Sequence, residues 1–309
     1  MLSNILASSR GAGGCVTNTL IGLAKICGTI PLYAYGGIGN DENGQFVLKL
    51  LKENGINTRG IKIFDGELTA FTDCMTEEST GERTFFHARG ANRCFSYENL
   101  DFDSINTDIF HMGYALLMEP FDREDKEYGT VMARALAKIQ TKGIKTSLDM
   151  VSTENDRYSE IVQASLKHCN YVIINEIEAG KTTNISPYSP DGKLDANLIK
   201  KICEKILVLG VKELVVIHAP QGGWAMDSDM NFTYVPSLKL PEGYIKSSVG
   251  AGDAFCAGML YSIYKELAVE ESLKIACAAA ASSLSEIDSV SGIKSVKGII
   301  ELFEKYKAG

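Results

Sequence analysis

Along most of the chain, short β-branched runs alternate with segments whose apolar residues recur every three or four positions. That alternation predicts βαβ units around a central, mainly parallel sheet flanked by helices, the α/β class. The first helical stripe is Val16, Leu20, Leu23, Ala24 and Cys27, directly after the glycine-rich stretch Gly11 to Gly14. Leu32 to Tyr35 reads as a strand, and Glu42 to Glu53 as a second helix closed by Asn54 and Gly55. Farther on, strands at Ile109 to His111, Lys145 to Asp149, Tyr171 to Ile174 and Leu214 to Ile217 alternate with helices over Lys126 to Lys142 and Arg157 to His168.

One region breaks the alternation. Ile61 to Ile63, Thr69 to Met75 and Arg83 to His87 read as strands joined by Gly- and Glu-rich turns with no helix between them, which predicts a small antiparallel β lid over about residues 61–90. Asn184 to Lys193 is a polar loop and not a linker, because regular patterns resume at Leu194 and Glu213. The expectation is one domain over residues 1–309 carrying a lid.

Composition narrows the function. With 31 Lys+Arg against 39 Asp+Glu the formal charge is -8, which argues against a nucleic-acid or anionic-membrane partner, since both require a basic face. The eight cysteines form no C-x-x-C pair and have no histidine at ligand spacing in sequence. They read as small core hydrophobes of a reducing compartment. No stretch has the roughly 18 apolar residues of a membrane span, and Met1 to Arg10 is not patterned as a secretion signal, so a cytoplasmic location is expected.

The stretch richest in chemistry is Ser247-Ser248-Val249-Gly250-Ala251-Gly252-Asp253-Ala254-Phe255, followed by a helical stripe at Phe255, Met259, Ile263 and Leu267. Small residues let a backbone turn approach a ligand, and a helix N-terminus offers unpaired N–H groups and a positive dipole end to an anion. Asp253 in that first turn either takes a proton from a substrate hydroxyl or simply caps the helix. Asn175 and Glu178 follow the strand Tyr171 to Ile174, at the carboxyl end where open α/β sheets bind ligands. They are also spaced as a capping box. Asp149 ends its strand near the same edge, and His218 ends another.

Ser247 to Leu260 resembles the C-terminal motif of the ribokinase-like, or PfkB-type, carbohydrate kinases, D-T-x-G-A-G-D-x-F-x-x-G. Gly13-Gly14 with Asn18 resembles the family's N-terminal sugar-site motif, Gly37-x-Gly39-x-Asp41-x-x-Gly44 its G-x-G-x-D-x-x-G turn, and Asn175 to Glu178 its N-x-x-E. The resemblance runs from residue 11 to about 300 and implies ATP-dependent phosphorylation of a small sugar, or of a nucleoside on the same fold. It implies Asp253 as base and the backbone of Gly250, Ala251 and Gly252 as anion hole. Asn175 and Glu178 would organise Mg²⁺ and the ATP phosphates, with Glu178 as the metal-side group. Gly14, Asn18 and Asp41 would hold the sugar.

The match is incomplete at three places. Ser247-Ser248 replaces the family's Asp-Thr, which leaves an activating monovalent cation open. On the nucleotide side, only distal glycines such as Gly223 remain of a Thr-x-Gly-x-x-Gly pattern. At the front, the residues before Gly13 are too few, at about 3.3 Å each, for the family's first strand with its Asp and the first lid strands. A sheet without that inner strand is therefore expected. A non-catalytic sugar- or nucleotide-binding protein is the alternative reading, and lids in the family pair to make homodimers. A dinucleotide-binding reading fails, because no strand precedes Gly11-x-Gly13-Gly14, and a Walker-type NTPase fails for lack of its motif.

Overall fold

A computed structural model of the chain describes residues 4–78 and 83–307. Helix α1 (Cys15–Ile26) starts immediately after Gly14. It leads through strand β1 (Tyr33–Gly39) and helix α2 (Glu42–Glu53) to strand β2 (Asn57–Phe64). β1 and β2 run parallel, as a crossover through α2 requires. Ile61 to Ile63, expected as the first lid strand, therefore belongs to β2. Its apolar spacing indicated a strand, but only the preceding crossover decides its partner. The antiparallel pair is β3 (Phe71–Thr76) with β4 (Arg83–Ala88). Its turn, residues 79–82, lies outside the described residues.

Beyond three short 3₁₀ turns come strand β5 (Ile109–Ala115) and the one-turn helix α3 (Glu119–Asp122). The short strands β6 (Glu124–Asp125) and β7 (Gly129–Thr130) form a hairpin ahead of helix α4 (Val131–Gln140). That helix begins later than its periodicity suggests, because the Thr130 hydroxyl accepts the Ala133 N–H at 3.1 Å and caps it there. Next follow β8 (Lys145–Met150), α5 (Tyr158–Leu166), β9 (Tyr171–Asn175), α6 (Glu176–Thr183) and α7 (Ala196–Val208). The chain continues through β10 (Leu214–Ala219), β11 (Gly222–Asp227) and β12 (Phe232–Pro236), and closes with α8 (Ala251–Tyr264), α9 (Val269–Ser283) and α10 (Val296–Tyr306).

Among the described residues the main sheet has six strands in the order β12-β11-β10-β9-β8-β5, whereas β1 and β2 form a separate pair. β5, β8, β9 and β10 are parallel, and β11 and β12 turn back antiparallel. Buried on both faces, the parallel strands need continuous apolar runs such as Tyr171-Val172-Ile173-Ile174. Tyr171 and Ile173 join the core layer built with α1, α8, α9 and α10, while Val172 and Ile174 join the layer built with α4, α5 and α7. The period-two alternation of a strand thus divides one core into two. The carboxyl ends of β8 and β9 emerge together, close to the start of α8.

Candidate active site

The N-terminus of α8 is set by Gly250, which lies in the left-handed region at φ 81. A Cβ there would come within 2.3 Å of the Ser289 Cβ, so the turn accepts no larger residue. Asp253 follows in the first helical turn and is buried. Its Oδ2 accepts a hydrogen bond from Asn18 Nδ2 at 2.7 Å, and its Oδ1 accepts one from the Tyr114 hydroxyl at 3.0 Å. Asn18 is itself oriented from behind, its Oδ1 accepting from the Ser289 hydroxyl at 3.0 Å. Burial raises the Asp253 pKa, and the bonds from Asn18 and Tyr114 pull it back down. Tyr114 is pushed far up by its own burial and then by the Asp253 charge, so it stays a protonated donor.

Asp149 lies beside Asp253, and Glu178 lies on the other side of Asp149 within reach of its charge. Asp149 on β8 is buried and accepts from the Met150 N–H at 2.7 Å. Its pKa is raised by burial first and then by the charges of Glu178 and Asp253. Glu178 and Asn175 form a complete capping box at the start of α6: the Glu178 N–H donates to Asn175 Oδ1 at 2.8 Å, and the Asn175 N–H to Glu178 Oε2 at 3.0 Å. Glu178 Oε1 also accepts from the Ser152 hydroxyl at 2.8 Å. Burial pushes Glu178 up to about 7 against these bonds, with the Glu176 charge adding to the rise. The capping box and the carboxylate cluster share one side chain, so the two readings of this pair are compatible.

The hydrogen-bond partners of these three carboxylates are neutral groups. Neighbouring buried carboxylates with raised pKa values and, among the described residues, no cationic hydrogen-bond partner form the donor set that an oxygen-seeking divalent cation such as Mg²⁺ suits.

Other residues singled out in the sequence fall in different places. Gly14 is the N-cap residue of α1 and its carbonyl accepts the Asn18 N–H at 3.0 Å, so the two glycine-motif residues do sit at one helix start. Gly223 is buried within β11 and pairs with His218 on β10. His218 also pairs with Asn175 and packs its ring on Phe255 at 4.8 Å between centroids. Burial lowers it to about 4, which leaves it neutral beneath the Gly250 to Gly252 turn. Asp41 caps α2, with Oδ1 accepting the Gly44 N–H at 2.8 Å. The Thr69 hydroxyl and N–H donate to its Oδ1 and Oδ2 at 2.6 and 2.8 Å. Both oxygens of Asp41 are thus engaged in tying α2 to the segment that enters β3. Asp41→Ala is expected to lower the unfolding free energy by about 1 to 2 kcal/mol, the cost of a lost cap, measured by urea titration; an unchanged midpoint would make the clamp unimportant.

Tyr114 and Ser289 were not legible in the sequence. Tyr114 lies beyond the apolar run that marks β5 and reaches Asp253 across 139 positions. Ser289 lies in a polar loop, and only the close packing of Gly250 on it brings it to the site.

A buried acid in the first turn of a helix, behind a small-residue turn and beside carboxylates at the carboxyl ends of parallel strands, stands where open α/β folds bind their ligands. The sequence model of the pfkB family carbohydrate kinases matches residues 5–295, and the chain belongs to that family. It is 27% identical over 287 residues to the Arabidopsis thaliana protein named "Probable fructokinase-6, chloroplastic", covering 88% of this chain and 68% of that one. To Fructokinase-1 of Zea mays it is 24% identical over 321 residues, covering 98% and 92%. The ribokinase of Arabidopsis thaliana, solved with ribose and ATP, shares the fold with a TM-score of 0.78 at 19% identity, covering 98% of this chain and 91% of that one. No helix among the described residues is long and apolar enough to cross a membrane.

Proposed function

We propose that this chain transfers the γ-phosphoryl group of ATP to a hydroxyl of a small sugar, with Asp253 as general base and the backbone of Gly250, Ala251 and Gly252 as anion hole. The observation that carries the reading is Asp253 itself, buried at the first turn of α8 and held from two sides by Asn18 and Tyr114. A substrate hydroxyl placed against Asp253 gives up its proton to the carboxylate as its oxygen bonds to the γ-phosphorus and the bond to the ADP oxygen breaks. In the first turn of α8 the Ala251 N–H donates to the Ser248 carbonyl at 3.3 Å, while the N–H groups of Gly252 and Asp253 precede the first helical acceptor and point along the positive end of the dipole, where they would stabilise charge on the transferred group. Asn18 and Tyr114 fix the carboxylate in place. Asn175 and Glu178 would hold Mg²⁺, which when bound supplies charge neutralisation to the phosphates. Gly14 would line the sugar side of the same site. Asp41 would act through the lid segment it anchors, and Gly223 through the strand beneath the nucleotide.

The fructokinase relatives make a ketohexose the first acceptor to try. Hairpin β3/β4 exposes Met75, Phe85 and Phe86, apolar surface that suits a lid closing over the sugar or pairing with a second copy. The deciding assay is ADP release with Mg-ATP across fructose, ribose, other pentoses and hexoses, and nucleosides. Fructose is expected to give the highest kcat/KM. A nucleoside preferred over every sugar would move the acceptor class while keeping Asp253 as base, and no turnover with any acceptor would leave a binding protein.

A further inference from the structure

At the Asp149 end of the carboxylate cluster the fold gathers three side chains that the sequence keeps far apart: Cys15 at the start of α1, His111 on β5 and Asp149 on β8. One ligand atom each of Cys15, His111 and Asp149 lies within 4.8 Å of the others. The Cys15 sulfur is 3.5 Å from His111 Nε2, and the Cys256 sulfur is 3.7 Å from the same nitrogen. A tetrahedral zinc ion, with bonds of about 2.3 Å to sulfur and about 2.0 Å to nitrogen, places those two ligand types about 3.5 Å apart. The Cys15 thiol therefore already stands at a zinc-site edge from the imidazole, whereas Cys256 nears the same nitrogen without joining the set of atoms that close on one another.

The imidazole is also aimed. His111 Nδ1 lies 3.0 Å from the Ser147 hydroxyl, which leaves Nε2 to face the thiols, in the manner of outer partners that orient metal-bound histidines. Space for the first thiol comes from Gly113, where a Cβ would lie 2.6 Å from the Cys15 sulfur. Other buried cysteines differ: Cys169 and Cys277 have their sulfurs on the backbone carbonyls of Ser165 and Val235, as core thiols do.

The geometry points to a thiophilic metal site formed by Cys15, His111 and Asp149, with zinc as the ion that suits one sulfur, one nitrogen and one oxygen with a fourth position open. Binding releases the Cys15 thiol proton to water as the thiolate forms its bond. The site shares Asp149 with the carboxylate cluster, but it is read from ligand geometry and tested by metal spectra and not by turnover, so its failure and that of the kinase reading are distinguishable.

The test uses the full chain, stripped with a chelator and titrated with Co²⁺ and then Zn²⁺. One Co²⁺ per chain is expected, with thiolate-to-cobalt charge-transfer absorption in the near ultraviolet and the strong visible bands of a tetrahedral ion, all bleached by one equivalent of Zn²⁺. Cys15→Ala should abolish the charge-transfer band or weaken it strongly, while Cys94→Ala leaves it intact. Ser147→Ala, which removes only the orienting hydroxyl, should weaken zinc binding by about 10- to 100-fold. X-ray absorption on the zinc-loaded unmodified chain, which depends on no variant folding, should count one sulfur neighbour among nitrogen and oxygen. Absence of cobalt binding, a weak octahedral spectrum, a band that survives Cys15→Ala in full, or no sulfur at the zinc would overturn the site.

Discussion

Asp253→Asn is expected to lower kcat with the preferred sugar by roughly 10² to 10⁴-fold, the range for loss of a general base. Asparagine keeps the shape and can still accept from Asn18, so the site should remain assembled; what disappears is the group that takes the hydroxyl proton. Because burial raises the Asp253 pKa, removing its charge should leave the thermal midpoint unchanged or raise it. ADP affinity should stay within a few-fold, since the proposed anion hole is backbone. That combination separates chemistry from folding and binding. Turnover within tenfold of the parent, with the midpoint intact, would falsify the assignment of Asp253 as base and leave it as a buried cap.

The contrast between Asp253 and Tyr114 shows what a linear sequence conveys. Gly250, Ala251, Gly252 and Asp253 are brought together by local backbone geometry, so their consecutive order is itself the signal. Asn175 and Glu178 are legible for the same reason, as three-residue spacing places both at one helix start. Tyr114 reaches Asp253, and Cys15 and Cys256 meet at His111, only because α1, β5 and α8 pack together; no local pattern encodes that contact. Cysteine spacing pointed to inert core thiols for this reason. The direction of β2 was hidden in a similar way, since apolar spacing identifies a strand while the crossover through α2 chooses its neighbour. Asp41 occupies its expected motif, but both its oxygens are bonded to Gly44 and Thr69, partners the motif does not name.

Glu178→Gln should produce opposite effects on activity and on stability. In the folded chain Glu178 titrates at about 7, against an ordinary 4.5, chiefly because burial disfavours its charge. Below about 4.5 the group is protonated in both folded and unfolded chains and contributes no penalty. As pH rises from there towards 7, the unfolded chain loses the proton first, so the folded state is progressively destabilised, and above 7 the deficit is constant. The gap corresponds to a penalty on the order of 3 kcal/mol at about 1.4 kcal/mol per pH unit. Asp149, raised by the same burial and by the Glu178 charge, adds to the slope in the same direction. The glutamine variant removes the charge but gives up part of the bonding to Asn175 and Ser152, so a net gain of about 1 to 2 kcal/mol at pH 8 is expected, fading towards pH 4.5. Mg²⁺ held by Glu178, as proposed, would offset the same penalty by supplying the missing countercharge, so it should raise the midpoint of the parent at pH 8 and leave the variant nearly unmoved. Sugar phosphorylation in the variant should require far higher Mg²⁺, while sugar affinity changes little. The measurements are urea unfolding curves for both proteins from pH 4.5 to 8, with and without Mg²⁺, beside activity against Mg²⁺ concentration. Stability curves that run parallel across that range, with equal Mg²⁺ dependence of activity, would return Glu178 to its role as the capping partner of Asn175 and remove it from the phosphate side of the site.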